Sequence, residues 1–199
     1  WGVSTRLIGG IIMVHGDDNG LVLPPHIAPI QVVILPIAQH KEGVLDRAYA
    51  LKDQLSNAFK VELDDSDNSP GWKFNQWEMK GVPIRLEIGP RDIEHNQCIL
   101  ARRDTGEKIS VSLDDVEASI ADLLEEIQKN LYRQALAMRE AKTSKAVNMD
   151  EFKHRLKENP GFVKAMWCGD RHCEDEIKDE TGASIRCIPF EIGRASCRE

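Results

Sequence analysis

No stretch of the sequence approaches the roughly 20 consecutive apolar residues that a membrane-spanning helix needs, which argues against a membrane role. An excess of positive charge is missing as well. The 26 Lys and Arg stand against 33 Asp and Glu, for a net charge of −7. That balance excludes a general nucleic-acid coat protein but leaves room for a local contact surface. Gly9-Gly10 is followed by no Lys-Ser/Thr and has no G-x-G-x-x-G spacing, so it is no phosphate loop. His15, His26, His40, His95 and His154 show no nucleophile or metal spacing, and no Ser-His-Asp or Cys-His arrangement is visible. Internal repeats, long low-complexity tracts and a secretory signal are also absent. The chain opens at Trp1, without Met, on residues that read as the interior of a fold, so a fragment lacking its N-terminal part is expected. What is there is 199 residues, 41% apolar and 30% charged, the composition of a soluble globular protein of one large or two small domains.

Five cysteines are present: Cys98, Cys168, Cys173, Cys187 and Cys197. An odd number in a long chain without a secretory signal does not make a disulfide framework, and it implies the cytosol. Three of them fall between positions 168 and 187, which points to metal rather than disulfide. Cys168 and Cys173 are spaced C-x4-C with Gly169 to turn the chain, a reach that lets two thiolates share one tetrahedral Zn2+. A structural site usually takes four protein ligands, and nothing in the spacing of His172 or Cys187 makes them complete it. On the residues alone, zinc and two ordinary thiols both stay open.

Residues 7–14 form an apolar helix closed by the turn Gly16-Asp17-Asp18-Asn19-Gly20, and 21–23 are extended. Pro24-Pro25 and Ala28-Pro29 then make a stiff connector that sets a domain boundary. From residue 31 the element types alternate. Residues 31–37 read as a buried parallel strand, 42–59 as a helix with Val44, Ala48, Leu51, Leu55 and Phe59 on one face, and 61–63 as a short strand. An acidic loop, 64–71, precedes a short helix over 72–79, and 98–102 with 109–113 make a hairpin around Asp104-Thr105-Gly106. This order predicts crossovers and a mixed sheet covered by helices, an α/β fold. Asp114 is expected to cap a long helix running to about Ala141, with Val116, Ile120, Leu123, Leu124, Ile127 and Leu131 as its apolar stripe. A further helix is expected over 149–157, before a separate C-terminal unit.

Residues 81–92, G-V-P-I-R-L-E-I-G-P-R-D, alternate Val82, Ile84, Leu86 and Ile88 with Pro83, Arg85 and Glu87. A period of two predicts a half-buried strand whose other face carries Arg85 and Glu87. Arg offers a fork of donors and Glu an acceptor, the groups that read a base edge, although internal ion pairing on a solvated face is the plainer account. Residues 71–110 hold seven basic and six acidic side chains, less acidic than the chain around them. Lys73, Phe74, Trp77, Glu78 and Lys80 set basic and aromatic groups just before this strand, as single-stranded RNA loops are often gripped. Trp77 can equally pack into the core. Ahead of the first helix, Ser4 and Arg6 fit either a helix cap with a surface ion pair or a phosphate grip.

Three segments together resemble the archaeal/eukaryotic-like prolyl-tRNA synthetase family. Residues 4–25, S-T-R-L-I-G-G-I-I-M-V-H-G-D-D-N-G-L-V-L-P-P, resemble its third class II signature. Residues 71–92, G-W-K-F-N-Q-W-E-M-K followed by the strand, resemble the core of its anticodon-binding domain. W-C-G-D-R-H-C-E-D and T-G-A-S-I-R-C-I-P-F, from 167 onward, resemble its zinc-binding C-terminal extension. The resemblance implies a mixed-sheet anticodon-binding domain over 26–140, the end of a class II catalytic domain over 1–25, and a truncated α+β zinc-binding-type domain over 141–190. It implies that Ser4 and Arg6 contact ATP, used with Mg2+. Phe74, Glu78, Arg85, Arg91 and Asp92 would meet the anticodon of proline tRNA, and Cys168 and Cys173 would be the first zinc pair. L-proline is then a further substrate, and the full-length protein is expected to be a cytoplasmic homodimer.

The departures from the family pattern carry expectations of their own. The first two class II signatures and the proline pocket would precede Trp1, so no catalytic residue is assigned and the chain alone is expected not to aminoacylate tRNA. The second Cys pair of the family is missing, so any Zn2+ would be held weakly. Residues 191–199, E-I-G-R-A-S-C-R-E, read as translated sequencing adapter and are set aside with Cys197. Two other readings compete: a non-catalytic tRNA- or protein-binding module derived from the same domain, and a class II synthetase for another amino acid. Residues 72–80 and the Cys168/Cys173 extension favour proline.

Overall fold

Every residue of the first strand, β1 (Val32–Pro36), is apolar and buried, as a strand covered on both faces must be. The computed structural model describes residues 2–189, so Trp1, the end of the C-terminal domain and the expectations for 191–199 with Cys197 lie outside the described residues. The chain forms two compact units that meet in sequence between Ala135 and Leu136. Among the described residues, no helix is long and apolar enough to cross a membrane.

The first unit comprises α1 (Arg6–His15), β1, α2 (Val44–Leu55), β2 (Val61–Leu63), α3 (Pro70–Met79), β3 (Ile84–Ile88), α4 (Pro90–Glu94), β4 (Gln97–Arg102), β5 (Lys108–Ser112) and most of α5 (Val116–Ala141). Its sheet runs β2-β1-β3-β4-β5. β1 pairs in parallel with β2 and β3, while β3–β4 and β4–β5 are antiparallel. Parallel neighbours require a crossover, which α2 and α3 supply. Antiparallel neighbours require only the short links after β3 and β4. The expected mixed α/β sheet with flanking helices is the one observed.

Register divides the sheet into two faces by parity. On one, Val32, Ile34, Ile84, Leu86, Ile88 and Leu100 pack with Ala48, Leu51 and Leu55 of α2 and with the apolar stripe of α5. Each fully buried Leu or Ile there stabilises the fold by about 1.5–3 kcal/mol over its exposed state. On the other face Val33 and Leu35 lie under Trp77 and Val82, with Phe74 and Ile30 at the margin. α3 therefore covers this second face at β1, whereas Lys108 and Ser110 on β5 stay exposed.

Three local expectations need correction. β3 is not half-exposed: as the third of five strands, flanked by α3, it buries Glu87 to 7% exposure and leaves Arg85 half-buried. Asp114 does not cap the long helix, which begins at Val116; its carboxylate accepts from Asn96 Nδ2 at 2.8 Å. Ser4 does not cap α1 either, because Thr5 occupies the cap position and makes no side-chain capping bond. Cys98 lies in the main core, where burial and the nearby Asp92 charge push its thiol up to about 12, leaving it without nucleophilic character.

Gly81 fixes how the residues before the sheet are strapped to it. Leu21 N–H donates to Met79 O and Leu23 N–H to Gly81 O, at 3.0 and 3.2 Å. Gly81 has φ +72°, and a Cβ there would stand 2.6–2.7 Å from Leu21 Cβ, C and O. Left-handed strain and a backbone collision act together, so Gly81→Ala should lower stability by about 2–3 kcal/mol. Urea unfolding measures it, and a loss below 1 kcal/mol would show that the strap yields.

The second unit holds β6 (Thr143–Lys145), α6 (Met149–Glu158), β7 (Phe162–Lys164) and α7 (Arg171–Thr181). β6 and β7 pair in parallel, with α6 as the connecting helix. Asn148 and Asp170 cap α6 and α7 with side-chain bonds to Glu151 N–H and His172 N–H, and Gly182 ends α7 at φ +72°.

Candidate nucleic-acid interface

The open part of the second sheet face is shaped by α3. Ser69 Oγ accepts from Trp72 N–H at 3.4 Å and Pro70 takes the first helical position, so the helix starts sharply. One turn apart, Lys73 and Trp77 point inward and are buried. Lys73 Nζ donates to Gln39 Oε1 at 3.0 Å and Asp64 O at 2.9 Å, and Trp77 Nε1 donates to Asp64 Oδ2 at 2.6 Å. Phe74 and Glu78, one position further round, reach the rim of the sheet and are half-buried.

Arg85, Ala101 and Lys108 are paired across β3, β4 and β5, so Arg85 and Lys108 share one rung of this face. The Arg85 guanidinium lies over the Phe74 ring at 4.4 Å, and Lys108 Nζ lies 5.4 Å from the same ring. Arg85 Nε donates to Glu87 Oε1 at 3.0 Å, and Lys108 Nζ sits 3.0 Å from the same oxygen. Two cations thus neutralise one buried carboxylate and leave a local surplus of positive charge. Among the described residues, nothing engages the two terminal nitrogens of Arg85. The charged face expected of this strand is therefore an ion-paired cluster with one guanidinium edge to spare.

Beside the cluster lies a shallow recess of about 130 Å³ lined by Trp77, Glu78, Val82, Arg85, Ala101 and Arg103, among others. Arg103 is committed: its Nε donates to Glu78 O at 3.0 Å and its fork to both Asp17 oxygens at 2.6 and 2.7 Å. That fork holds the Asp17 carboxyl below its ordinary value.

Not all the anticipated residues gather here. Phe74, Glu78 and Arg85 come together, as the recess and the ring contact show. Arg91 and Asp92 lie beyond the end of β3, in α4. Asp92 Oδ2 accepts from Gly89 N–H at 2.8 Å and so caps α4, while Arg91 is exposed on that helix. Ser4 and Arg6 are exposed at the start of α1. Cys168 follows β7 and its Sγ accepts from Asp170 N–H at 3.4 Å; Cys173 lies in the first turn of α7. Among the described residues, no three His, Cys, Asp or Glu side chains gather to hold a metal. A structural zinc takes four protein ligands, of which thiolates such as Cys168 and Cys173 are the usual kind, and no step is derived through a metal.

Lys108 and Arg103 escaped the sequence reading as site residues. Their signal was parity: once the hairpin turn at 104–106 is set, Lys108 and Arg85 fall on the same face.

Buried carboxylates support this surface. Burial raises the Asp64 carboxyl, but hydrogen bonds from Ser66 and Trp77 and the charge of Lys73 outweigh it, holding the group below its ordinary value. Asp104 is likewise held low, with the bonds from Arg102 and Asn130 outweighing burial. A depressed carboxyl contributes stability in full above its unfolded pKa, and that contribution is lost as pH falls through the folded value. Stability should therefore drop below about pH 4, and less steeply in Asp104→Asn. Urea unfolding at pH 6 and pH 3 checks it; equal pH slopes in the two proteins would contradict the assignment.

Residues 31–123, which contain the whole five-stranded sheet, match the family described as "Anticodon binding domain". Residues 149–198 match the family described as "Prolyl-tRNA synthetase, C-terminal". The chain belongs to the prolyl-tRNA synthetase family. It is 66% identical over 192 residues to the proline–tRNA ligase of Alkaliphilus oremlandii. Identity is 59% over 191 residues to that of Ruminiclostridium cellulolyticum and 58% over 191 to that of Oceanobacillus iheyensis. Each match covers 96% of this chain, which spans about 40% of the length of these curated relatives.

Proposed function

We propose that the open sheet face over Phe74, Glu78 and Arg85 takes the anticodon loop of proline tRNA, in a cytoplasmic protein that ligates L-proline to that tRNA using ATP. The observation that carries this reading is Arg85, clamped between Phe74 and Glu87 with its terminal nitrogens unengaged. A guanidinium so fixed presents two parallel donors, the pattern that fits the O6 and N7 acceptors of a guanine. Glu78 at the recess offers acceptors for base amino groups, and Lys108 adds charge toward phosphate. In the whole protein, Arg6 and Ser4 would contact ATP, which is used with Mg2+, and two copies would form a homodimer. Cys168 and Cys173 would supply two of four zinc ligands. Domain limits at residues 25, 140 and 190 belong to the same proposal.

A fluorescent RNA hairpin bearing the proline anticodon loop tests the central claim. The chain should bind it at least about 10-fold more tightly than a hairpin with its two anticodon guanines changed to adenine, since one misread base costs about 1–3 kcal/mol. Equal binding would overturn the assignment to proline tRNA.

A further inference from the structure

We propose that Arg103 is a positioning residue for anticodon recognition, holding Glu78 at the recess by clasping the last turn of α3 to the strap formed by residues 17–23. The inference rests on the reading of the recess given above. Arg103 touches three segments that are distant in sequence. Its backbone N–H donates to Pro83 O at 2.9 Å at the entry to β3, its Nε to Glu78 O, and its fork to Asp17. The strap is itself bonded to the α3–β3 junction through Leu21 and Leu23.

The partners make mere packing a poor account of this side chain. Arg103 is only 6% exposed, whereas Asp17 is 45% exposed. Burying a guanidinium against a carboxylate that remains in water is a weak way to gain stability, and an apolar side chain would fill the space as well. What the guanidinium supplies is direction. Its planar fork fixes Asp17 on one edge while its Nε fixes the Glu78 carbonyl, a geometry that lysine cannot reproduce. Glu78 O also accepts from Gly81 N–H, so the clasp acts where the helix gives way to the glycine turn. Because its charge is engaged by Asp17, Arg103 is a poor candidate for a phosphate contact.

Binding of the two hairpins by the full chain tests the role. Arg103→Met should weaken the cognate hairpin about 10-fold and leave the guanine-to-adenine hairpin unchanged, because misplaced reading groups lose selectivity first. The dependence of affinity on salt should keep its slope, which a lost phosphate contact would lower by about one. In a Glu78→Gln background the same substitution should cost less than about threefold, the non-additivity of two residues acting through one contact. Asp17→Asn, on the exposed side of the clasp, should show the same loss of selectivity in smaller measure, and it keeps the test alive if Arg103→Met unfolds. Equal weakening of both hairpins, a reduced slope, additive effects, or unchanged selectivity in both variants would overturn the role of Arg103 alone. A wild-type chain that does not distinguish the hairpins would overturn the reading of the recess, and this role with it.

Discussion

Arg102→Ala is expected to destabilise the first unit by about 3–5 kcal/mol, the range for removing one partner of a buried ion pair. Arg102 is 6% exposed and lies on the helix-covered side of the sheet. It donates to both oxygens of Asp104, at 3.0 and 2.9 Å, and reaches Glu126 on α5 at 3.0 Å. Asn130, also on α5, donates to Asp104 at 2.6 Å. The cluster therefore pins the β4–β5 turn to the long helix. Alanine would strand the Asp104 carboxylate, whose side chain has no solvent exposure, with Asn130 as its remaining side-chain partner. The urea midpoint should fall by roughly 2 M at the usual denaturant sensitivity of a domain this size. The paired change Arg102→Met with Asp104→Leu should recover most of the loss, since apolar residues of similar volume replace buried ions at little cost. Recovery of less than a third would mean that the turn needs charge for its geometry and not only for neutrality.

Arg85→Glu should weaken the cognate anticodon hairpin about 100-fold while leaving the domain folded. Loss of a two-donor contact to a base accounts for about 1–3 kcal/mol, and a carboxylate facing RNA phosphates adds repulsion. Folding survives because Lys108 still balances Glu87 and the apolar ladder of β3 is untouched. Arg85→Lys separates charge from shape: it keeps the cation, loses the planar fork, and should lose about 10-fold. Anisotropy titration with far-UV circular dichroism as the folding control reads both. Unchanged affinity in Arg85→Glu would reduce Arg85 to a structural ion pair.

Residues 31–141 announce their fold because their periods are plain. β1 is wholly apolar, α2 and α5 repeat at helical spacing, and β3 alternates strictly. What stayed hidden depends on neighbours that sequence does not order. The burial of Glu87 needs α3 and the β5 rung, neither of which shows in a strand's own pattern. Lys108 joins the site only through register. Other features carry a purely local signal. Pro90 at a first helical position and Asp92 two residues on spell the start of α4. Asp170 and Gly182 likewise bracket α7 as its caps. β6 and β7, three residues each, are too short to show any alternation.

The parity of the sheet has a consequence for how this domain can change. In β3, positions 84, 86 and 88 face a packed interior, where a single methylene gained or lost is felt. Positions 85 and 87, with 99, 101, 108 and 110 across the register, face the other way. Adjacent residues on one short strand are thus subject to independent demands, volume on one side and, under the proposed function, ligand chemistry on the other. A new nucleotide preference could be written into alternate residues of three strands, leaving the intervening ones to keep the domain standing.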